Sequence, residues 1–193
     1  MKKLGVVLSL ALVLVLLGGS ALAQNVGDKS VYFVTYFSNS LTAGAPDETV
    51  RIINDGDTGG NLWASFYVFD DSQELQECCS CVITPDGLLS ESVNAELLAN
   101  PLTGKRNYRG VIKVISSTTG NGGTSNTLAA GLRGTATHAQ HTTGAAYSLT
   151  ETPLADSNLV AGEQSMLQNL CSYAIQLGSG TGVCSCTLED HDF

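Results

Sequence analysis

The sequence predicts a mainly β protein, a single-domain antiparallel β-sandwich of immunoglobulin-like kind, with one C-terminal α-helix and disulfide staples. Three observations carry this expectation. Beyond the first two dozen residues the apolar side chains recur mostly at every second position, in stretches rich in β-branched and aromatic residues. Turn-forming clusters separate those stretches: NDGDTGG at 54–60, TPDG at 84–87, NPLTG at 100–104 and TTGNGGTSNT at 118–127. All six cysteines, at 78, 79, 81, 171, 184 and 186, fall in the part that follows the N-terminal apolar run.

That run comes first in the chain. Residues 1–24 read MKKLGVVLSLALVLVLLGGSALAQ, two lysines, an uncharged apolar stretch from Leu4 to Leu17, and the small-residue end Ala21-Leu22-Ala23. This is the pattern of a secretory signal peptide with an A-x-A cleavage site, and the stretch is shorter than the roughly 20 residues a spanning helix needs. The expected organisation is a signal peptide over 1–23 and one secreted domain over 24–193. The destination is the periplasm, the cell surface or the extracellular medium, with no membrane insertion after cleavage.

Seven strands are expected in order: Ser30–Phe37 (SVYFVTYF), Glu48–Ile53, Asn61–Phe69 (NLWASFYVF), Glu77–Ile83 (ECCSCVI), Gly110–Ser116, Gly131–Ala139 and Ala145–Thr152. The first has Val31, Phe33, Thr35 and Phe37 on one face and Tyr32, Val34 and Tyr36 on the other, so it must be buried on both sides. It is read as an ordinary central strand, or else as an assembly strand whose Val31, Phe33 and Phe37 complete the sheet of the next copy. In the third, alternation sends Trp63, Tyr67 and Phe69 to one side, read as core, and Phe66 to the other. The stretch LLSESVN at 88–94 fits a strand, with a short helix over Ala95–Ala99 as another option. The C-terminal helix is expected over Asn158–Ile175, capped by Asp156, Ser157 or Asn158, with Cys171 facing the core.

Composition narrows the partners. The formal charge is −9, and loss of Lys2 and Lys3 with the signal makes it more acidic, which excludes nucleic acid as a partner. Lys105, Arg106, Arg109 and Lys113 form a local basic patch, read as a solvated hairpin end, with contact to an acidic neighbouring copy as the sharper alternative. Partners are other proteins or copies of the chain itself.

The cysteines are read as disulfides, because an exported chain meets oxidising conditions. Adjacent and i, i+2 pairs close only with strain, so Cys78, Cys79 and Cys81 cross to Cys171, Cys184 and Cys186. A Cys78–Cys81 bond is the other family, leaving Cys79 for Cys184 or Cys186 and Cys171 for the remaining one. Within the first family, alternation on the strand places Cys78 toward Cys171 and sets Cys79 and Cys81 against the CSC segment. The C-C-x-C and C-x-C spacings fit zinc or iron–sulfur ligation poorly, and no metal or cofactor is assigned.

The search for chemistry assigns no catalytic residue. There is no G-x-S-x-G and no H-E-x-x-H. His138 and His141 fall on opposite faces of a strand and are read as surface or loop residues, and His191 as terminal tail. Asp55 and Asp57 in NDGDTGG are read as turn residues rather than a calcium loop, since an EF-hand's twelfth position counted from Asp55 is Phe66. Asp70 and Asp71 are an acid pair of the kind a glycosidase uses, and of the kind any acidic chain supplies. The expectation is a secreted, non-enzymatic structural or interaction protein, extending to a self-assembling fibre subunit. The alternatives are a thiol-based metal or redox protein and a carbohydrate-binding module.

Overall fold

The computed structural model describes residues 30–98, 107–121, 124–144 and 146–179, together with Cys186. The stretch read as a signal peptide, Lys105, Arg106, Cys184 and His191 lie outside the described residues. The strands are β1 (Tyr32–Phe37), β2 (Thr49–Asn54), β3 (Leu62–Asp70), β4 (Leu75–Ile83), β5 (Leu88–Ser92), β6 (Gly110–Asn121), β7 (Thr124–Leu128), β8 (Leu132–His141), β9 (Tyr147–Pro153) and β10 (Ala155–Asp156). Helix α1 (Ala161–Ala174) follows and widens into a π-helical turn over Ile175–Ser179.

Two antiparallel sheets pack face to face. One runs β10-β1-β6-β3-β4 with β7 also on β6, and the other runs β5-β2-β8-β9. This confirms the antiparallel sandwich but not an immunoglobulin-like topology. Chain crossings close both flanks: the turn Thr84–Gly87 carries β4 at one sheet's edge into β5 at the other's, and buried Leu154 carries β9 into β10.

Alternation explains two separate cores. Phe33, Phe37, Ile52, Phe66, Leu89 and Ile112 fill the space between the sheets, together with Cys79 and Cys81. On the outer face of the larger sheet, Tyr32, Tyr67, Cys78 and Ile115 are covered by Leu167 and Cys171 of α1. The larger sheet is therefore buried on both faces, which is why SVYFVTYF and NLWASFYVF read as apolar on both sides. Within β3 it is Phe66 that enters the inter-sheet core. Tyr67 and Phe69 lie under the helix, and Trp63 is only half-buried.

Some expectations are corrected. The described residues hold ten strands rather than seven. The stretch TTGNGGTSNT contributes to a hairpin, because β6 outruns β1: their ladder ends at Tyr32 opposite Ile115, and β7 then takes over that edge with Leu128 opposite Ser117. LLSES is a strand, and residues 93–96 are a turn. The helix starts at Ala161 with Val160 as an extended N-cap and no side-chain cap. Residues 155–157 are used by the sheet instead: Val34 and Phe33 pair with Ala155 and Asp156, and the Ser157 N–H donates to the Tyr32 carbonyl.

Gly110 marks the closest approach. A Cβ there would lie 1.9 Å from the Phe69 carbonyl oxygen and 2.8 Å from the Phe37 ring. Only glycine lets β6 enter the sheet at that point.

Cys78 is bonded to Cys171 across 93 residues, and Cys81 to Cys186 across 105. Cys79 is also disulfide-bonded. The helix presents a narrow stripe to the sheet, Glu163, Leu167 and Cys171 at successive four-residue steps. Glu163 Oε1 accepts from both Tyr32 Oη and Lys113 Nζ at 2.6 Å. Replacing Cys78 and Cys171 together by alanine is expected to lower the free energy of unfolding by about 2–5 kcal/mol in guanidinium titrations. An unchanged midpoint would mean that the bond adds nothing to the packing of Leu167.

Candidate functional site

The residues that the sequence nominates for chemistry are mostly committed to structure. Asp55 Oδ1 accepts from the Asp57 N–H at 3.1 Å, Asn54 Oδ1 accepts from the Gly56 N–H at 3.1 Å, and Arg133 lies 3.4 Å from Asp55, all of which serve the turn. Asp70 is buried in the β3–β4 turn and accepts from the Ser72 and Glu74 N–H groups and from Gln76 Nε2, each at 2.9 Å. Asp71, at the surface, pairs with Arg109 at 2.8 Å. The two described members of the basic patch are thus both ion-paired within the chain, Arg109 with Asp71 and Lys113 with Glu163.

The histidines divide differently from the expectation. His141 is exposed, but His138 is buried against Tyr36, ring centroids 4.1 Å apart and nearly parallel, with Nε2 2.9 Å from Thr152 Oγ1. Strand alternation turns His138 toward the smaller sheet's partner face. Burial pushes its pKa below the ordinary value, partly countered by the Tyr36 backbone. Of the nominated assembly residues, Phe33 and Phe37 are buried in the inter-sheet core and Val31 is half-buried, its carbonyl accepting from the Ser116 N–H.

What the sequence reading did not nominate is a cleft at one end of the sandwich. Ser38, Asn39 and Thr42 from the β1–β2 loop, Asp71 from the β3–β4 turn, and Asn107, Tyr108 and Arg109 at the entrance to β6 line a cavity of about 430 Å³. Glu48, which does not itself line the cavity, anchors the lining residue Ser38. This buried carboxylate accepts from the Ser38 N–H at 2.8 Å, just past the end of β1, and from the Ala139 N–H of β8 at 2.6 Å. Asn39, at φ +55°, donates through Nδ2 to the Ala139 carbonyl at 2.6 Å. Burial raises the Glu48 pKa and Asp47's charge adds to the rise, while the two N–H bonds oppose it.

A second cluster sits inside the edge formed by β4 and β5. Glu91 is fully buried, with Oε1 3.7 Å from Cys81 Sγ, and its Oε2 has no hydrogen-bond partner. Burial raises its pKa from 4.5 to about 8, helped by the charges of Glu96 and Glu77. One Glu91 oxygen and the sulfurs of Cys81 and Cys186 lie within 4.8 Å of one another, but those sulfurs are bonded to each other, so neither is a thiolate ligand. Glu48 and Glu91 each had a signal in the sequence. Glu48 heads the inward series continued by Val50 and Ile52, and Glu91 stands between inward Leu89 and Val93.

No known family and no curated protein matches the chain. A solved structure, Thermotoga maritima 1070, is similar at 14% identity over 68% of this chain and 96% of that one, with a TM-score of 0.42. So slight a likeness transfers neither fold nor function.

The buried acids set a pH dependence. The folded pKa values of Glu91 and Glu48 lie above their unfolded values, so the folded chain holds protons that the unfolded chain has released. Their contribution is fully present below the ordinary 4.5 and, for Glu91, is lost as pH rises through about 8. Glu163, lowered by its bonds to Lys113 and Tyr32, acts the opposite way, its contribution lost only in acid. Urea midpoints are expected to fall from about pH 5 to about pH 9, and Glu91→Gln to flatten most of that slope while Glu48 leaves a remainder. An identical slope in the variant would remove Glu91 as its origin.

Proposed function

We propose that the protein is exported and acts outside the cytoplasm as a non-enzymatic structural or interaction module. The observation that carries this reading is β4, tied by disulfides on both faces: Cys78 to the helix and Cys81 to the C-terminal Cys186. Such bonds form and persist in oxidising compartments. They spend the cysteines on rigidity, which supports a scaffold over the thiol-based metal or redox alternative.

Strand exchange between copies is the less supported form of this reading. β1 pairs with β6 over six residues and with β10 on its other side, so donating it to a neighbour means breaking both ladders and exposing Phe33 and Phe37. The module is read as monomeric, presenting its loop end to a partner.

Non-reducing peptide mapping of protein purified from the exported fraction is expected to recover Cys78–Cys171 and Cys81–Cys186, with Cys79 joined to Cys184, and size-exclusion chromatography to give a monomer. Free thiols with stoichiometric metal would overturn the reading in favour of a metal protein. Large species that shrink on deletion of residues 25–37 would restore the fibre subunit.

A further inference from the structure

We propose that the cleft at the loop end of the sandwich is a saccharide-binding site, with Tyr108 as its stacking platform and Asn107, Asn39, Arg109 and Asp71 as its hydrogen-bonding groups. This rests on the reading of the protein as an exported interaction module and names the ligand of that module. The cavity, about 430 Å³, falls within the range of small-molecule sites.

Tyr108 is 61% exposed, yet it stands at the mouth of a polar cavity rather than alone on a convex surface. An aromatic face of this kind packs on the C–H face of a sugar ring. Around it stand groups that suit neighbouring hydroxyls, each of which both donates and accepts. The Arg109 guanidinium and the Asp71 carboxylate, 2.8 Å apart and both well exposed, offer a donor fork beside an acceptor fork. The Asn39 carboxamide and the Ser38 and Thr42 hydroxyls extend the same chemistry along the lining.

Asn107 supplies an independent indication. It is 8% exposed and lines the cleft, and its Nδ2 has no acceptor. A buried donor left unsatisfied is costly, and a small shift of the Asn107 side chain toward the cleft it lines would let a ligand hydroxyl accept from it and remove that cost. Glu48 adds preorganisation, since its bonds to Ser38 and Ala139 tie that part of the lining to β8 before any ligand arrives.

Charge and polarity argue against other ligand classes. Arg109 is already neutralised by Asp71, and the chain carries a formal −9, so a free anion gains little here. The lining has one aromatic ring and no leucine, isoleucine, valine, methionine or phenylalanine, so it lacks the aliphatic walls that seat an apolar peptide side chain.

The test uses the full exported chain in native affinity electrophoresis with dextran, mannan, galactan and xylan, and in titration calorimetry with chitohexaose. At least one probe is expected to bind, and Tyr108→Ala to weaken it tenfold or more with an unchanged unfolding midpoint, because the ring is on the surface. Arg109→Ala is expected to weaken the same probe, and Leu149→Ala, exposed on β9, to leave it unchanged. Binding to none of the probes, or binding that Tyr108→Ala leaves intact, overturns the proposal. So does displacement of the bound probe by inorganic sulfate at equal concentration, which marks an anion site. If the mapped disulfides are intact, any of these failures leaves the interaction reading standing; free thiols with bound metal remove that reading whatever the sugars do.

Discussion

The alternation of side chains along β4 is the constraint on which the rest of the molecule depends. Because successive residues point to opposite faces, the three cysteines of ECCSC cannot all serve one core. Cys78 joins the helix on the outside of the larger sheet, while Cys79 and Cys81 enter the space between the sheets. An edge strand is thereby held from both sides, at the position where a sandwich is most exposed to stray pairing. The helix needs this bond, for among its described side chains Leu167 and Cys171 are the fully buried apolar groups, and burial of one leucine contributes roughly 2 kcal/mol. Glu163, four residues before Leu167, extends the stripe with polar contacts to Tyr32 and Lys113.

Closure of the sandwich at its two flanks has a further consequence for where recognition can occur. The flanks are occupied by sheet-crossing chain at Thr84–Gly87 and at Leu154, and the outer face of the larger sheet is under the helix. The outer face of the smaller sheet, with exposed Ile53 and Leu149, and the loop ends remain. At one of them Glu48 ties the end of β1 to the end of β8, so that the loops leaving both sheets share a single buried carboxylate. Rigid elements that present a loop surface in this way are a common arrangement for binding sites.

Much of the fold was legible because period-two patterning survives wherever a strand faces the core. SVYFVTYF, NLWASFYVF and GVIKVIS announced themselves by apolar residues on both faces, and the reason is now visible: their sheet has a core on each side. β7 and β10 were not legible. β7 is short and polar, extending β6 beyond the reach of β1, and β10 is two residues long; neither carries a periodic signal. The helix start was misplaced for a related reason, since its expected capping residues include two that pair with β1. The cleft was not legible because its seven residues come from three segments: Asp71 and Arg109 stood out in the sequence, but separately, as half of an acid pair and as part of a basic patch. His138 was misjudged as exposed because parity alone separates it from His141 without saying which of the two faces inward.

Three buried acids show how little residue type says about role until donors are counted. Asp70 receives three hydrogen bonds within its own turn, two of them from backbone N–H groups. Glu48 receives bonds from the residue that follows β1 and from β8 of the other sheet, so the same bonds that oppose the effect of its burial also join the layers. Glu91 is fully buried beside the Cys81–Cys186 sulfurs with one oxygen unpartnered and two other acids close enough to oppose its charge. Burial without donors favours the neutral acid, so its pKa rises toward 8. On an alternating strand each of these looks like an acid at an inward position. The difference lies in which backbone N–H groups the neighbouring segments bring within reach, which is a property of the topology rather than of the strand itself.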